Sequence, residues 1–301
     1  LFVGEQPGAL VLSRLEHPSV IRVAEQLEAR GASLSWIALD GSGRVSVEAV
    51  SEAIERAAAP VRLVSLQVVN HETGVIQPIP EVADVVHGRG LLLHVDAVQA
   101  VGKVEPSAWA GADLLSLAAH KMRGPKGIGA LVTRPGIKLR PVLVGGAQER
   151  GLRPGTQDPA AAAGLAVAAA RAHEGGPLRQ ARLGALRDRL ENGLIQLGRD
   201  HGPAPMRNGG GPRVPHVSNL SWLGWRGDEL CAALDHVHAH GYVHRDVKPG
   251  NLIVARGPLG TELVKLIDFG IALPVATQYA VRAAEEARVV GTAEYMAPEQ
   301  R

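Results

Sequence analysis

Lys121 is the residue whose setting most directly suggests covalent chemistry. It lies in D-L-L-S-L-A-A-H-K-M-R-G-P-K-G-I-G-A at 113–130, where a short apolar run opens into a glycine- and proline-rich turn before a second apolar run. A lysine at the point where a buried strand opens into a tight turn is a candidate Schiff-base residue, because burial lowers its pKa and frees its amine for a carbonyl. Taken alone, the pattern fits a solvated loop lysine among the turn formers Gly124, Pro125 and Gly127 just as well. A second run, L-L-L-H-V-D-A-V-Q at 91–99, shifts the balance. It too reads as a buried strand ending in polar groups. Asp96 there can pair with a protonated ring nitrogen, and Gln99 can donate to a ring oxygen. A ring kept cationic in this way acts as an electron sink.

These residues need a scaffold that brings strand ends together. A short strand is expected around 9–12, and S-V-I-R-V-A-E-Q-L-E-A reads as an amphipathic helix stopped by Gly31. Residues 46–58 read as a second helix. V-R-L-V-S-L-Q-V-V at 61–69 is fully apolar enough for a parallel strand covered on both faces. It ends at Asn70-His71-Glu72-Thr73-Gly74. A helix at 80–88, then Asp96 and Lys121 on later strands, complete β-α-β-like alternations. Such sheets bind ligands beyond their C-terminal strand ends, where His71, Asp96 and Lys121 each fall. An alanine-rich helix at 159–173 and a charged amphipathic helix at about 179–198 follow, then the flexible composition of 201–212.

Pyridoxal phosphate (PLP) is the cofactor that this arrangement suits. Together with L-E-H at 15–17, V-N-H-E-T-G-V at 69–75, H-V-D-A-V-Q at 94–99, A-H-K-M-R-G-P-K-G at 119–127 and G-G-A-Q-E-R-G-L-R-P-G-T at 145–156, it resembles the class V aminotransferases, and within them the cysteine desulfurases. The resemblance covers about residues 1–234. It implies fold type I, an α/β fold with a mainly parallel large-domain sheet at 1–160 and the start of a small domain at 161–234. It also implies that Lys121 holds PLP, that His17 lies on the ring face and moves protons, and that Asp96 and Gln99 contact the ring. His71 stands where the family commonly has asparagine, and His120 donates to the phosphate. Thr156 would reach the phosphate of a partner subunit, which implies a homodimer. The substrate implied is L-cysteine, with sulfur passing through an enzyme persulfide to an acceptor protein.

Departures from the pattern are expected to impair that chemistry. Ala118 replaces a phosphate-binding serine, and only sixteen residues precede His17, so the phosphate loop and first sheet strands are expected to be missing. The one cysteine, Cys231, falls in a predicted helix beside Leu230 and Ala232, which suits a structural thiol better than a loop nucleophile.

From residue 235 the sequence changes character. H-V-H-A-H-G-Y-V-H-R-D-V-K-P-G-N-L-I-V at 236–254, V-K-L-I-D-F-G-I-A at 264–272 and G-T-A-E-Y-M-A-P-E-Q at 291–300 resemble the Ser/Thr protein kinases. The resemblance makes Asp246 the acceptor of the substrate hydroxyl proton and Lys248 the partner of the transferring phosphoryl group. Asn251 and Asp268 become the magnesium ligands. Part of a kinase C-lobe is implied at 235–301. ATP and magnesium would be used only if that segment were complete, and no glycine-rich loop or strand lysine precedes it. The string A-A-L-D at 232–235 suits both families and marks the join.

Composition sets the outer bounds. The chain has 301 residues, is 46% apolar, and carries a net charge of +2 with a pI near 8.9. Its arginines are scattered, so no nucleic-acid face is expected. One cysteine excludes an internal disulfide framework. No run has membrane-spanning length, so a cytoplasmic protein is expected. The readings in play are an impaired desulfurase-like enzyme, a Ser/Thr kinase, and a non-catalytic fusion or truncation product.

Overall fold

Strand β1 (Ala9–Ser13) is buried along its whole length, as an apolar strand at the centre of a covered sheet must be. The computed structural model describes residues 8–174, 176–201 and 204–223, together with four short strands between 242 and 274. The described chain forms two compact units, the first built from residues up to His71, Val75–Arg179 and Gly210–Pro212.

The first unit alternates strands and helices: β1, α1 (Pro18–Glu28), β2 (Ser33–Ile37), α2 (Val47–Glu55), β3 (Val61–Gln67), α3 (Ile79–Gly88), β4 (Leu93–Asp96), β5 (Leu114–Ala118) and β6 (Gly129–Thr133). The sheet order is β2-β1-β3-β4-β5-β6. All pairs are parallel except β5–β6. This is a mixed α/β architecture with a mainly parallel sheet, as the sequence implied. On one face Leu10, Leu12, Leu63 and Leu114 pack with Ala24 of α1. Val50 and Ala53 of α2 and Val82 and Val86 of α3 are also buried.

Local sequence sets the element ends. Pro18 opens α1, and Gly31 adopts a positive φ just beyond it. Ser46 caps α2 by accepting the Ala49 N–H at 3.0 Å. The apolar run 61–69 is not one strand throughout. Regular pairing stops at Gln67, and Val69 bridges back to Ile76 across the turn. Helix α4 (Pro159–Glu174) buries Ala168 and Ala172 against Met122.

The second unit comprises Glu72–Gly74, Gln180–Gly209 and the chain from Arg213 onward. Helix α5 (Gly176–His201) enters it, followed by β7 (Met206–Arg207) and β8 (Leu220–Trp222). Glu191 of α5 is fully buried and bonds Arg213 at 2.9 and 3.0 Å, Arg207 at 2.6 Å and Ser218 at 2.9 Å. Strands β9 (Tyr242–Val243), β10 (Leu252–Arg256), β11 (Glu262–Leu266) and β12 (Leu273–Pro274) complete the description. They give a sheet of order β10-β11-β8-β7 and a separate β12–β9 pair.

Candidate functional site

Parallel strands bring their C-terminal ends to one edge, and the residues singled out above gather there. His17 follows β1, Asn70 and His71 follow β3, Asp96 is the last residue of β4, and His120-Lys121 follow β5. These four strands are neighbours in the sheet, so residues far apart in sequence share one rim.

His17 plays two parts. It is the N-cap of α1, with Nδ1 accepting the Ser19 N–H at 3.2 Å and lying 2.7 Å from Ser19 Oγ. An amide N–H can only donate, so the proton of the neutral ring is on Nε2. The ring meets His71 edge-on, with centroids 5.1 Å apart. Asp96 is half-buried, and its Oδ1 accepts the Val98 N–H at 2.9 Å, folding the chain into a turn immediately after β4. Oδ2 makes no hydrogen bond among the described residues.

Lys121 differs from expectation. It is exposed rather than buried, because β5 ends at Ala118 and residues 119–122 form a single 3-10 turn. Three residues per turn point Ala119 and Met122 inward and leave His120 and Lys121 outside. Arg123 closes that turn with φ of 64°. The Lys121 amine has no hydrogen bond or ion pair among the described residues. Partial desolvation, then the charges of Lys121, Lys126 and Lys103, hold His120 below the usual histidine pKa, so these cations share one neighbourhood. Gln99 Oε1 accepts from Lys103 Nζ at 2.6 Å.

Glu16 is the residue that the sequence reading passed over. It was quoted within L-E-H, yet only the histidine received a role. Its carboxyl is buried, with Oε1 accepting the Gln67 N–H at 2.9 Å and the Ser13 hydroxyl at 3.4 Å. Burial pushes its pKa up to about 8, with the charge of Asp96 adding to that rise. A carboxylate three residues beyond the buried strand β1 was the available signal.

Thr156 is exposed in the segment after the turn at Gln148–Gly151. Asp246, Lys248, Asn251, Asp268 and Cys231 lie outside the described residues. No group of three or more metal-ligating side chains occurs among the described residues, and no described helix is long and apolar enough to cross a membrane.

Comparison with known proteins gives the family of this chain. The family model "Aminotransferase class-V" matches residues 5–197, and that for the protein kinase domain matches 227–300. A cysteine desulfurase of Bradyrhizobium diazoefficiens is 38% identical over 237 residues, covering 78% of this chain and 56% of the relative. One from Gluconacetobacter diazotrophicus is 40% identical over 216 residues, covering 71% and 52%. The chain thus spans about half the length of these curated relatives. Among solved structures, DndA from Streptomyces lividans is 32% identical with a TM-score of 0.70, covering 86% of this chain and 75% of that one. A NifS-like protein is 26% identical with a TM-score of 0.72, covering 94% and 75%. The chain therefore belongs to the class-V aminotransferase family, and carries a kinase-like segment after its family region.

Proposed function

We propose that the rim of the parallel sheet is a PLP site of cysteine desulfurase type, acting on L-cysteine. The convergence of His17, His71, Asp96 and Lys121 at neighbouring strand ends carries this reading. The residues fit the cofactor: Lys121 has an uncommitted amine, Asp96 has an acceptor oxygen to spare, and a basic neighbourhood surrounds His120. When bound, PLP supplies an electron sink that stabilises negative charge at the substrate α-carbon.

Lys121 would hold the cofactor aldehyde, and Asp96 Oδ2 would accept the ring N–H. His120 would donate a hydrogen bond to the phosphate, with Lys126 and Lys103 supplying positive charge beside it. Gln99 and His71 would orient the ring oxygen, and Thr156 would serve a partner subunit's phosphate in a homodimer. The His17 ring, fixed by Ser19, would present Nε2 as the proton-carrying atom. Sulfur transfer to an acceptor protein also needs a cysteine thiolate. The chain's one cysteine, Cys231, sits in a helix-like sequence, so persulfide formation is expected to be slow.

A second reading rests on the kinase-domain match at 227–300, with Asp246 as proton acceptor, Lys248 on the phosphoryl group, and Asn251 and Asp268 on magnesium. The sequence ahead of it within this chain carries neither a glycine-rich loop nor a strand lysine, so ATP turnover is the lesser proposal.

The test is to mix the chain with PLP, reduce with borohydride and map the adduct by mass spectrometry. The expected result is a PLP-modified peptide containing Lys121, absent in Lys121→Ala, with alanine formed from cysteine only slowly. An adduct spread over surface lysines would overturn the reading.

A further inference from the structure

We propose that Glu16 is a proton-holding positioning residue: its buried carboxyl stays neutral beside charged Asp96, leaving one negative charge at the strand ends for a cationic ring nitrogen. The proposal deepens the PLP reading and rests on it for its function. The geometry behind it involves this chain's residues alone.

Glu16 is 3% exposed. Oε1 is held by the Gln67 N–H and the Ser13 hydroxyl, whereas Oε2 is buried with no hydrogen-bond partner among the described residues. A bare, buried carboxylate oxygen suffers the full loss of its hydration, and a proton on the group relieves much of that cost. Gln67 is also the register partner of Asp96 across β3–β4. The Gln67 backbone that binds Glu16 is therefore paired in register with Asp96. Two neighbouring carboxyls do not both ionise readily, and the more buried one keeps the proton.

The environments of the two groups differ as this division requires. Asp96 is half-buried and its Oδ1 already accepts the Val98 N–H. Glu16 is pushed up to about 8 by burial first, against the opposing Gln67 N–H, and then by Asp96. The titratable groups around this corner are His17 next in the chain, His71 against it, and His94 and Asp96 on β4. Asp96 is the one whose charge acts on Glu16. If the order were reversed, the proton would sit on Asp96, and the site would lose the charge that grips a ring nitrogen.

The experiment is a pH titration of the whole chain, without cofactor, labelled with carbon-13 at the glutamate carboxyls and followed by NMR. One carboxyl should keep its proton at neutral pH and titrate near the value above. Its resonance should vanish in Glu16→Gln. In Asp96→Asn its midpoint should fall, though not to the ordinary value, because burial remains. The Gln67 amide shift should follow the same midpoint in the unmodified chain, which serves if Glu16→Gln does not fold. Glu191, the other buried glutamate among the described residues, is held below the ordinary range and does not mimic the signal. Two results would overturn the proposal: no glutamate protonated at neutral pH, or a midpoint indifferent to Asp96→Asn. Failure of PLP binding would show in the Lys121 adduct and would leave this titration unaffected.

Discussion

His94 sits two residues before Asp96 and links three strands through its ring. Nδ1 lies 2.8 Å from Ser65 Oγ on β3, and Nε2 lies 2.8 Å from Ser116 Oγ on β5. Burial lowers its pKa from 6.5, and Asp96 pulls the other way without reversing the shift. The sign follows from linkage. Above about pH 6.5 the ring is neutral whether the chain is folded or not. As the pH falls below that value the unfolded chain takes up a proton first, so stability is lost until the lower folded pKa is reached. His94→Gln keeps hydrogen-bonding groups at the position but removes the titration. Its melting temperature should fall below that of the unmodified chain at about pH 7.5, and the gap should narrow at about pH 5.5. A gap of constant size would show that His94 does not titrate with folding. Residues of this kind were only partly legible in sequence. His71, Asp96 and Lys121 were found because each stands at or just past the end of an apolar run, and His17 through its match to the family motif. The partners of His94 and the Gln67 N–H that binds Glu16 lie 22 to 51 residues away, and strand register brings them close.

At the scale of elements, close backbone approaches fix where the rim residues stand. Gly102 has φ of 72°, and a Cβ there would come within 2.5 Å of Ala172 Cβ on α4. Gly102→Ala would combine a left-handed alanine with overpacking against a helix, a loss of about 2–4 kcal/mol. Gly90 also has a positive φ, 67°, but nothing lies within 4 Å of its added Cβ. Gly90→Ala should therefore cost only the backbone part, about 1–2 kcal/mol. The comparison is read as two denaturation curves, and equal losses would refute tight α4 packing at Gly102. Element existence was easier to foresee than element boundaries. The apolar runs at β1, β3, β4 and β5 have few other structural options. β2 went unread because S-L-S-W-I alternates polar and apolar residues on an edge strand that pairs only with β1. The depth of Lys121 was misjudged for a related reason: the run ending at Ala118 looks continuous with A-A-H-K, yet a three-residue turn period exposes the last two positions.

At the scale of the whole chain, strands from before and within the kinase-like match pair in one sheet. Strand β8 lies before the kinase-like match, whereas β10 and β11 lie within it. β11 pairs antiparallel with β8, Val264 opposite Trp222 and Leu266 opposite Leu220, while β7 takes the other edge of β8. The backbone of this segment forms a hairpin that covers an edge of β8, an edge that would otherwise present unpaired N–H and C=O groups. This gives the kinase-like residues a structural part independent of phosphoryl transfer. Hydrogen exchange on the whole chain tests it, because paired amides open only when the sheet does. The amides of β8 and β11 should exchange slowly and at matching rates. Val264→Pro, which removes a donor and fixes φ inside β11, should speed exchange in β8 while leaving β1 and β3 of the other unit protected. Rapid exchange throughout β11 in the unmodified chain would instead mean that the hairpin contributes nothing to the sheet.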